Sequence, residues 1–181
     1  GTEHFFSAFI LISLGVSGIA AAYRYTAGVN PYGYAGLGDA AVFFFFGWVG
    51  VAGTAFLLSH VWSWTWLLPG TLTGALSVAV LNLNNMRDFE SDTIADKRTL
   101  VVRFGLENAK RYHVVCFVLA WGAWWVFSLI VEPGQWRGSM WIFVLSLLHL
   151  AHLIRVFQMS DPKTLDPELK RVALSTALVA L

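Results

Sequence analysis

Trp64-Thr-Trp-Leu-Leu-Pro-Gly-Thr-Leu-Thr-Gly-Ala-Leu-Ser-Val-Ala-Val-Leu-Asn-Leu83 holds no charge and runs directly into Asn84-Asn85-Met86-Arg87-Asp88-Phe89-Glu90-Ser91-Asp92. The first stretch is long enough to cross a hydrocarbon core of about 30 Å as a helix. The second sets acidic groups at its mouth, where carboxylates point to chemistry rather than architecture. At helical spacing Asn84, Asp88 and Asp92 stand four apart, so they stack on one face and can converge on a divalent cation. Glu90 points the other way.

Working outward, the whole chain has the same character. Its 181 residues are 57% hydrophobic and 13% charged with a mean hydropathy of +0.63, too little polar surface to cover a soluble globule. Apolar runs at Phe5 to Ala22, Ala40 to Leu58, Trp64 to Leu83, Tyr112 to Val131 and Ser139 to Phe157 predict five spans. A sixth, Val172 to Leu181, reaches the last residue, and the chain opens on Gly1 rather than Met, so both ends are expected to be cut. Runs such as Ala41-Val42-Phe43-Phe44-Phe45-Phe46 are apolar all round, which excludes the alternation of a strand barrel. The fold class is therefore an all-α membrane protein, a multi-helix transmembrane bundle. No repeat, linker or low-complexity tract divides it, so residues 1–181 read as one transmembrane domain, and no cleavable signal peptide precedes the first span. Cys116 lies inside a span and reads as a small core residue.

Basic residues are distributed unevenly among the connections. Those after spans one, three and five carry Arg24; then Arg87, Lys97, Arg98, Arg103, Lys110 and Arg111; then Arg155, Lys163, Lys170 and Arg171. The connections after spans two and four carry only Arg137, while Trp62, Trp64, Trp66, Trp136 and Trp141 gather there as an interfacial belt. Basic loops stay cytoplasmic, so the acid-rich segment is expected on the inner face of the membrane. The inner connections, Tyr23 to Asp39 and Asn84 to Arg111, are also the long ones, and long loops usually carry function. Gly70-Thr71-Leu72-Thr73-Gly74 and the glycines at 47, 50 and 53 suit close helix packing and need no site.

Asp88 and Asp92 beside Asn84 and Asn85 suit a hard, oxygen-liganded cation such as Mg²⁺, which completes its shell with water and substrate phosphate. Lys97, Arg98 and Arg87 lie close enough in sequence to neutralise a diphosphate gripped by the same metal. A solvated loop with internal ion pairs would use the same residues. The connection Tyr25-Thr26-Ala27-Gly28 and Pro31-Tyr32-Gly33-Tyr34-Ala35-Gly36-Leu37-Gly38-Asp39 could form a hydroxyl-lined lid, with Tyr25 and Tyr32 as substrate-binding candidates. It reads equally as a turn-rich link ending in an Asp39 N-cap. His149 and His152 stand three apart in span five, and structural packing is the preferred reading because a bis-histidine heme needs ligands on two helices. His113, His60 and His4 lie at span ends, where an interfacial role suffices.

The string Asn84-Asn85-Met86-Arg87-Asp88 with Asp92 four later, followed by Lys97-Arg98-Thr99-Leu100-Val101-Val102-Arg103-Phe104-Gly105, resembles the second aspartate-rich motif of intramembrane aromatic prenyltransferases. The tyrosine- and glycine-rich connection and the phenylalanine-rich start of span two resemble the branch that acts on 1,4-dihydroxy-2-naphthoate on the way to menaquinone. The resemblance covers most of the chain. It implies a fold of about nine helices around a cavity open to the bilayer, with two aspartate-rich motifs facing each other, of which the N-D-x-x-D one is not in these residues. It also implies a reaction: a polyprenyl group passes from polyprenyl diphosphate to the aromatic acid, Mg²⁺ draws off diphosphate, and the ring loses its carboxylate. The implied localisation is the bacterial cytoplasmic membrane, with no nucleic-acid partner. Two departures are Asp96, where the family has glycine, and Asn30, where some relatives carry a basic residue.

Other classes are readable too. A transporter would more often show charges within its spans or helices broken near mid-membrane, whereas Asp and Glu here avoid the span interiors. A quinone- or heme-binding subunit would lean on His149 and His152. A lipid phosphotransferase would show a D-G-x-x-A-R pattern, which is missing.

Overall fold

The computed structural model describes residues 2–28, 31–131 and 136–180, with the side chains of residue 5 and of 8–28, 31–131 and 144–180. The side chains of Trp136, Arg137, Trp141, His4 and Asn30, and the outer connection at 132–135, lie outside that set. The described residues are helical with no strand. The helices are α1 Thr2–Thr26, α2 Gly38–Val42, a π-helical segment Phe43–Ala52, α3 Gly53–Ser59, α4 Leu67–Arg87, α5 Phe89–Ile94, α6 Leu100–Phe104, α7 Leu106–Val131, α8 Trp136–Gln158 and α9 Asp166–Ala180. α2, the π segment and α3 are continuous and make one span, Gly38–Ser59.

Among the described residues four helices are long and apolar enough to cross a membrane: Ala8–Thr26, Gly38–Ser59, Trp64–Arg87 and Leu106–Val131. These are the first four expected spans, each somewhat longer than its apolar run. The fifth is α8, whose described apolar part is Val144–Gln158. The expected sixth differs: α9 starts at Asp166, six positions before Val172, and carries Glu168, Lys170 and Arg171 in its early turns. Asp161 begins it by accepting the Lys163 backbone N–H at 3.0 Å, which places a 3₁₀ turn and then the helix ahead of the apolar run.

α4 is the hub, with α7, the π segment and α9 packed around it. Half of its span is buried in the bundle whereas none of α1's is, so α4 is the element whose position everything else determines. Its contact with the π segment is backbone on backbone. A Cβ on Gly47 would lie 2.5 Å from the Gly70 carbonyl and 2.9 Å from the Gly74 Cα, so the small-residue pattern acts as expected at 47, 70 and 74. Gly53 faces open space and takes no part. The π segment was not predictable from hydropathy, because its residues are apolar all round either way. Trp48 donates to Thr71 Oγ1 at 3.0 Å beside the glycine contact.

Around α4, Leu72, Ala75, Leu76, Val78, Ala79, Leu83 and Met86 are buried. Thr73, Ser77, Leu81, Asn84 and Asp88 are only partly so. Their spacing of four, four, three and four traces one stripe of the helix, which runs down to the acidic end.

Candidate active site

α4 stops at Arg87, and Asp88 (φ −90°, ψ 10°) leads into α5. The hydrogen-bond register passes through the break, with Asp88 N–H on the Asn84 carbonyl at 3.0 Å and Asp92 N–H on the Asp88 carbonyl at 2.8 Å. Asn84, Asp88 and Asp92 thus keep their four-residue spacing on successive turns, though not on one uninterrupted helix. Each carboxylate takes a different cation. Asp88, half exposed, receives Arg87 Nε at 2.8 Å and Nη2 at 2.9 Å in a forked pair, and Asn84 Nδ2 at 3.3 Å. Asp92 is buried and receives Lys97 Nζ at 2.8 Å. Glu90 points away and meets Lys163 at 2.9 Å.

The loop beyond α5 folds back because the Lys97 N–H bonds the Asp92 carbonyl at 2.9 Å. Asp96 sits there at φ 51°, a left-handed conformation that glycine adopts freely, which accounts physically for a glycine at this place in the family pattern. Lys97 lies 5.2 Å from the centre of the Tyr34 ring. Its pKa is raised, first by the hydrogen bond to Asp92, against an opposing effect of burial, and further by the charges of Asp92 and Asp88. Lys97 therefore stays charged, paired with Asp92 and only weakly in the field of Asp88.

The Tyr25–Asp39 connection packs against this loop. Arg98 N–H donates to the Tyr34 carbonyl at 2.8 Å, and Arg103 Nη2 to the Ala35 carbonyl at 2.7 Å. Gly36, at φ 74°, lies so close that a Cβ there would stand 2.9 Å from the Arg98 carbonyl. Tyr25 meets Tyr32 edge-on at 5.6 Å. The Tyr32 hydroxyl is committed to the Ala21 carbonyl at 2.8 Å, and burial raises its pKa.

The candidate residues thus fall into distinct places. Asn84, Asp88, Asp92 and Lys97 come together. Asn85 is buried, and no hydrogen bond of its amide is found among the described residues. Arg87 is paired with Asp88, with Asn84 Oδ1 at 2.8 Å and with Asp166 at 3.1 Å. The Arg98 side chain is exposed and approaches Asp96 at 4.0 Å, so Asp96 leaves Lys97 to Asp92. Asp39 is not an N-cap. α2 starts at Gly38 without a side-chain cap, and the Asp39 carboxylate is buried against the Tyr112 hydroxyl. His113 is not interfacial but fully buried, 2.9 Å from His152. Cys116 is a buried free thiol, as expected. Sequence reasoning missed Tyr34, Arg103 and Asp166; only Tyr34, inside the tyrosine–glycine loop, carried a signal.

The donor set fits a hard cation in one respect: Asp88 and Asp92 offer carboxylate oxygens, and Asn84 an amide oxygen, at the end of the partly open stripe of α4. Among the described residues no group of three or more His, Cys, Asp or Glu is arranged to hold a metal. Two carboxylates supply a minority of an octahedral shell, the usual protein share where substrate phosphate and water complete it.

The chain belongs to the UbiA prenyltransferase family, which matches residues 5–176. It is an integral membrane protein. It is 37% identical over 177 residues to the 1,4-dihydroxy-2-naphthoate octaprenyltransferase of Haemophilus influenzae, covering 98% of this chain and 57% of that protein. To the enzyme of the same name from Escherichia coli it is 40% identical over 169 residues, covering 93% of this chain and 54% of that protein. The Mycobacterium tuberculosis enzyme of that name is 43% identical over 138 residues, 71% of this chain. The chain spans little more than half the length of the first two. No solved structure matches it.

Proposed function

We propose that this chain carries one wall of the site that transfers a polyprenyl group from polyprenyl diphosphate to 1,4-dihydroxy-2-naphthoate, with loss of the carboxylate, in menaquinone biosynthesis. The observation that carries the reading is the cluster of Asp88, Asp92 and Lys97: two carboxylates one helical turn apart, the buried one paired with a charged lysine. The relatives named above bear that activity in their names.

Asp88 and Asp92 would hold Mg²⁺, with Asn84 and Asn85 beside them. Bound there, the ion supplies charge that stabilises a departing diphosphate. Lys97 is placed to do the same from the protein side: as the diphosphate approaches, its ammonium can swing from Asp92 to a phosphate oxygen, because its stem is flexible. Tyr34 holds the cation in place meanwhile. The Tyr25–Asp39 connection covers Lys97 and, as a lid, excludes water from an allylic cation that water would quench. Arg87 keeps Asp88 and Asn84 oriented rather than touching substrate. The prenyl chain would lie along the partly open stripe of α4 through Leu81 and Ser77 towards the bilayer. The acidic end would face the cytoplasm, as the basic residues around it require.

The test is the full-length protein, purified into lipid, given a polyprenyl diphosphate, 1,4-dihydroxy-2-naphthoate and Mg²⁺. Prenylated, decarboxylated product dependent on the metal is expected. No product with any chain length of donor would refute the reading.

A further inference from the structure

Behind α4, on the side away from the partly open stripe, four buried polar side chains from four helices touch in sequence. Asn82 of α4 is 1% exposed, His113 of α7 0%, His152 of α8 2% and Glu168 of α9 7%, so water does not complete their hydrogen bonds. Asn82 Nδ2 lies 3.1 Å from the Ala109 carbonyl and 3.3 Å from His113 Nδ1. The two Nε2 atoms of His113 and His152 are 2.9 Å apart. His152 Nδ1 is 2.7 Å from Glu168 Oε2, and Glu168 Oε1 takes Arg155 Nε at 2.7 Å and Arg171 Nη1.

The two ends of this chain determine every proton in it. A carbonyl only accepts, so the Ala109 oxygen identifies the Asn82 nitrogen as the amide NH₂, which must then donate to His113 Nδ1. Glu168, ionised between two arginines, only accepts, so His152 Nδ1 must donate. His113 Nδ1 is therefore bare and His152 Nδ1 protonated. The single bond between the rings needs one proton for two Nε2 atoms. A neutral His113 must carry its proton on Nε2, and His152 Nε2 then accepts it. Protonating His152 fully would set two N–H groups head to head, or force His113 to present Nδ1–H to the Asn82 NH₂. With both ends anchored, one arrangement satisfies all the bonds, and in it both rings are neutral.

We propose that Asn82, His113, His152 and Glu168 form a proton-ordered relay that positions the Asp88 end of α4 against the first turn of α9. It rests on the proposed function only in what that end of α4 is for. The same turn supplies Asp166, which takes Arg87 at 3.1 Å, and Arg87 in turn grips Asp88 and Asn84. Two ties, one buried and one at the surface, thus run from residues 166–168 to α4 on either side of Asn84 and Asn85. Ordered hydrogen bonds polarise one another, and a buried chain whose protons are determined from both ends favours one arrangement of its helices, with Asn82 Oδ1 the one polar side-chain atom of these four residues that has no partner among the described residues. The relay residues are positioning residues, not catalytic ones.

The first test is ¹⁵N NMR of the ¹⁵N-histidine-labelled chain in lipid bilayers. His113 is expected protonated at Nε2 alone and His152 at Nδ1 alone, with a scalar coupling between the two Nε2 atoms. A doubly protonated ring, the reversed tautomers or no coupling would overturn the relay. The second uses the full-length protein in membranes. Glu168→Ala, which removes the terminal acceptor, should raise KM for Mg²⁺ about threefold or more, within the range by which residues that touch no ligand modulate a distant site, with kcat at saturating metal kept. Glu168→Gln, which still offers an oxygen to His152, should restore most of it. Loss of folded protein with KM unchanged in whatever remains, or equal defects in both variants, would show a merely structural tie and overturn the positioning role. Absence of prenyl transfer in the parent would remove the proposed function instead, and the spectrum alone would then decide the relay.

Discussion

Asp88 and Asp92 are chemically alike but differently held, and their variants should differ accordingly. Either Asp→Asn change in the full-length protein is expected to cut turnover on the order of 10²-fold or more, the scale of losing one preorganised electrostatic group. Asp92→Asn should in addition loosen Lys97, its 2.8 Å partner, and so destabilise the loop, while Asp88→Asn leaves that pair intact. Turnover at the parent rate in either would end the metal-site reading. Lys97→Ala leaves the Asp92 carboxylate, 5% exposed, without its cation and should destabilise the loop, by less than the loss of a fully buried pair because the Lys97 side chain is itself 32% exposed. Diphosphate should inhibit this variant more weakly; inhibition equal to the parent's would count against a Lys97 contact. Glu168 gives a pH prediction. Burial alone would raise its pKa, but the bonds from Arg155 and His152 outweigh this and hold it below the usual 4.5. A depressed carboxylate contributes stability that is complete above 4.5 and fades as pH falls through the folded value. Melting midpoints between neutral pH and pH 3 should fall more steeply for the parent than for Glu168→Gln; parallel curves would contradict it. What sequence reasoning read correctly here was local: Asn84, Asp88 and Asp92 are neighbours by helical spacing. It gave no sign that Arg87 pairs with Asp166, which is 79 residues away. It misplaced His113 for the same reason, as nothing local announces His152 from 39 residues off.

At the scale of elements, hydropathy located the spans because a bilayer demands length and apolarity, both local properties. It could not show the π segment, whose ten apolar residues look the same at any helical pitch. Nor could it place α9, whose start is determined by the Asp161 cap and the polar first turns rather than by the apolar run. The α4 contact was readable in kind, from the small-residue pattern, but not in membership: Gly47 belongs to it and Gly53 does not. That difference is measurable. Gly47→Ala would push a methyl to 2.5 Å from the Gly70 carbonyl and should destabilise the bundle by about 1–3 kcal/mol, the usual cost of overpacking. Gly53→Ala meets open space and should be close to neutral. Denaturant titrations in mixed micelles, with helix content as the signal, would compare the two. Equal effects would mean that backbone contact does not join the π segment to α4. The loop pair was half readable: tyrosine and glycine marked the Tyr25–Asp39 connection as special, but that it rests on Arg98 and Arg103 is a tertiary fact.

For the whole molecule, the open question is how complete a site these helices can build. α4 is covered by α7, α9 and the π segment, yet its stripe through Ser77, Leu81, Asn84 and Asp88 stays partly open. No residue of the α1 span is fully buried. Phe5, Phe9, Ile12, Val16 and Ile19 of α1 are all exposed, a face that lipid or further helices would cover. Two carboxylates leave most of a hard cation's shell to water, and an ion so held can neither fix both phosphates nor exclude water from the reacting carbon. The relatives that this chain matches over nearly all its length are almost twice as long, since it covers 57% and 54% of two of them. On the proposed two-motif arrangement, the opposing ligands come from the part of such proteins that these residues do not match. The 181 residues alone, folded in lipid and supplied with a polyprenyl diphosphate, 1,4-dihydroxy-2-naphthoate and Mg²⁺, should therefore turn over no substrate. Co-reconstitution with the part of the Escherichia coli relative that this chain does not match should restore Mg²⁺-dependent product. Transfer by the 181 residues alone, at the rate of a full-length relative, would show that Asp88 and Asp92 need no opposing set.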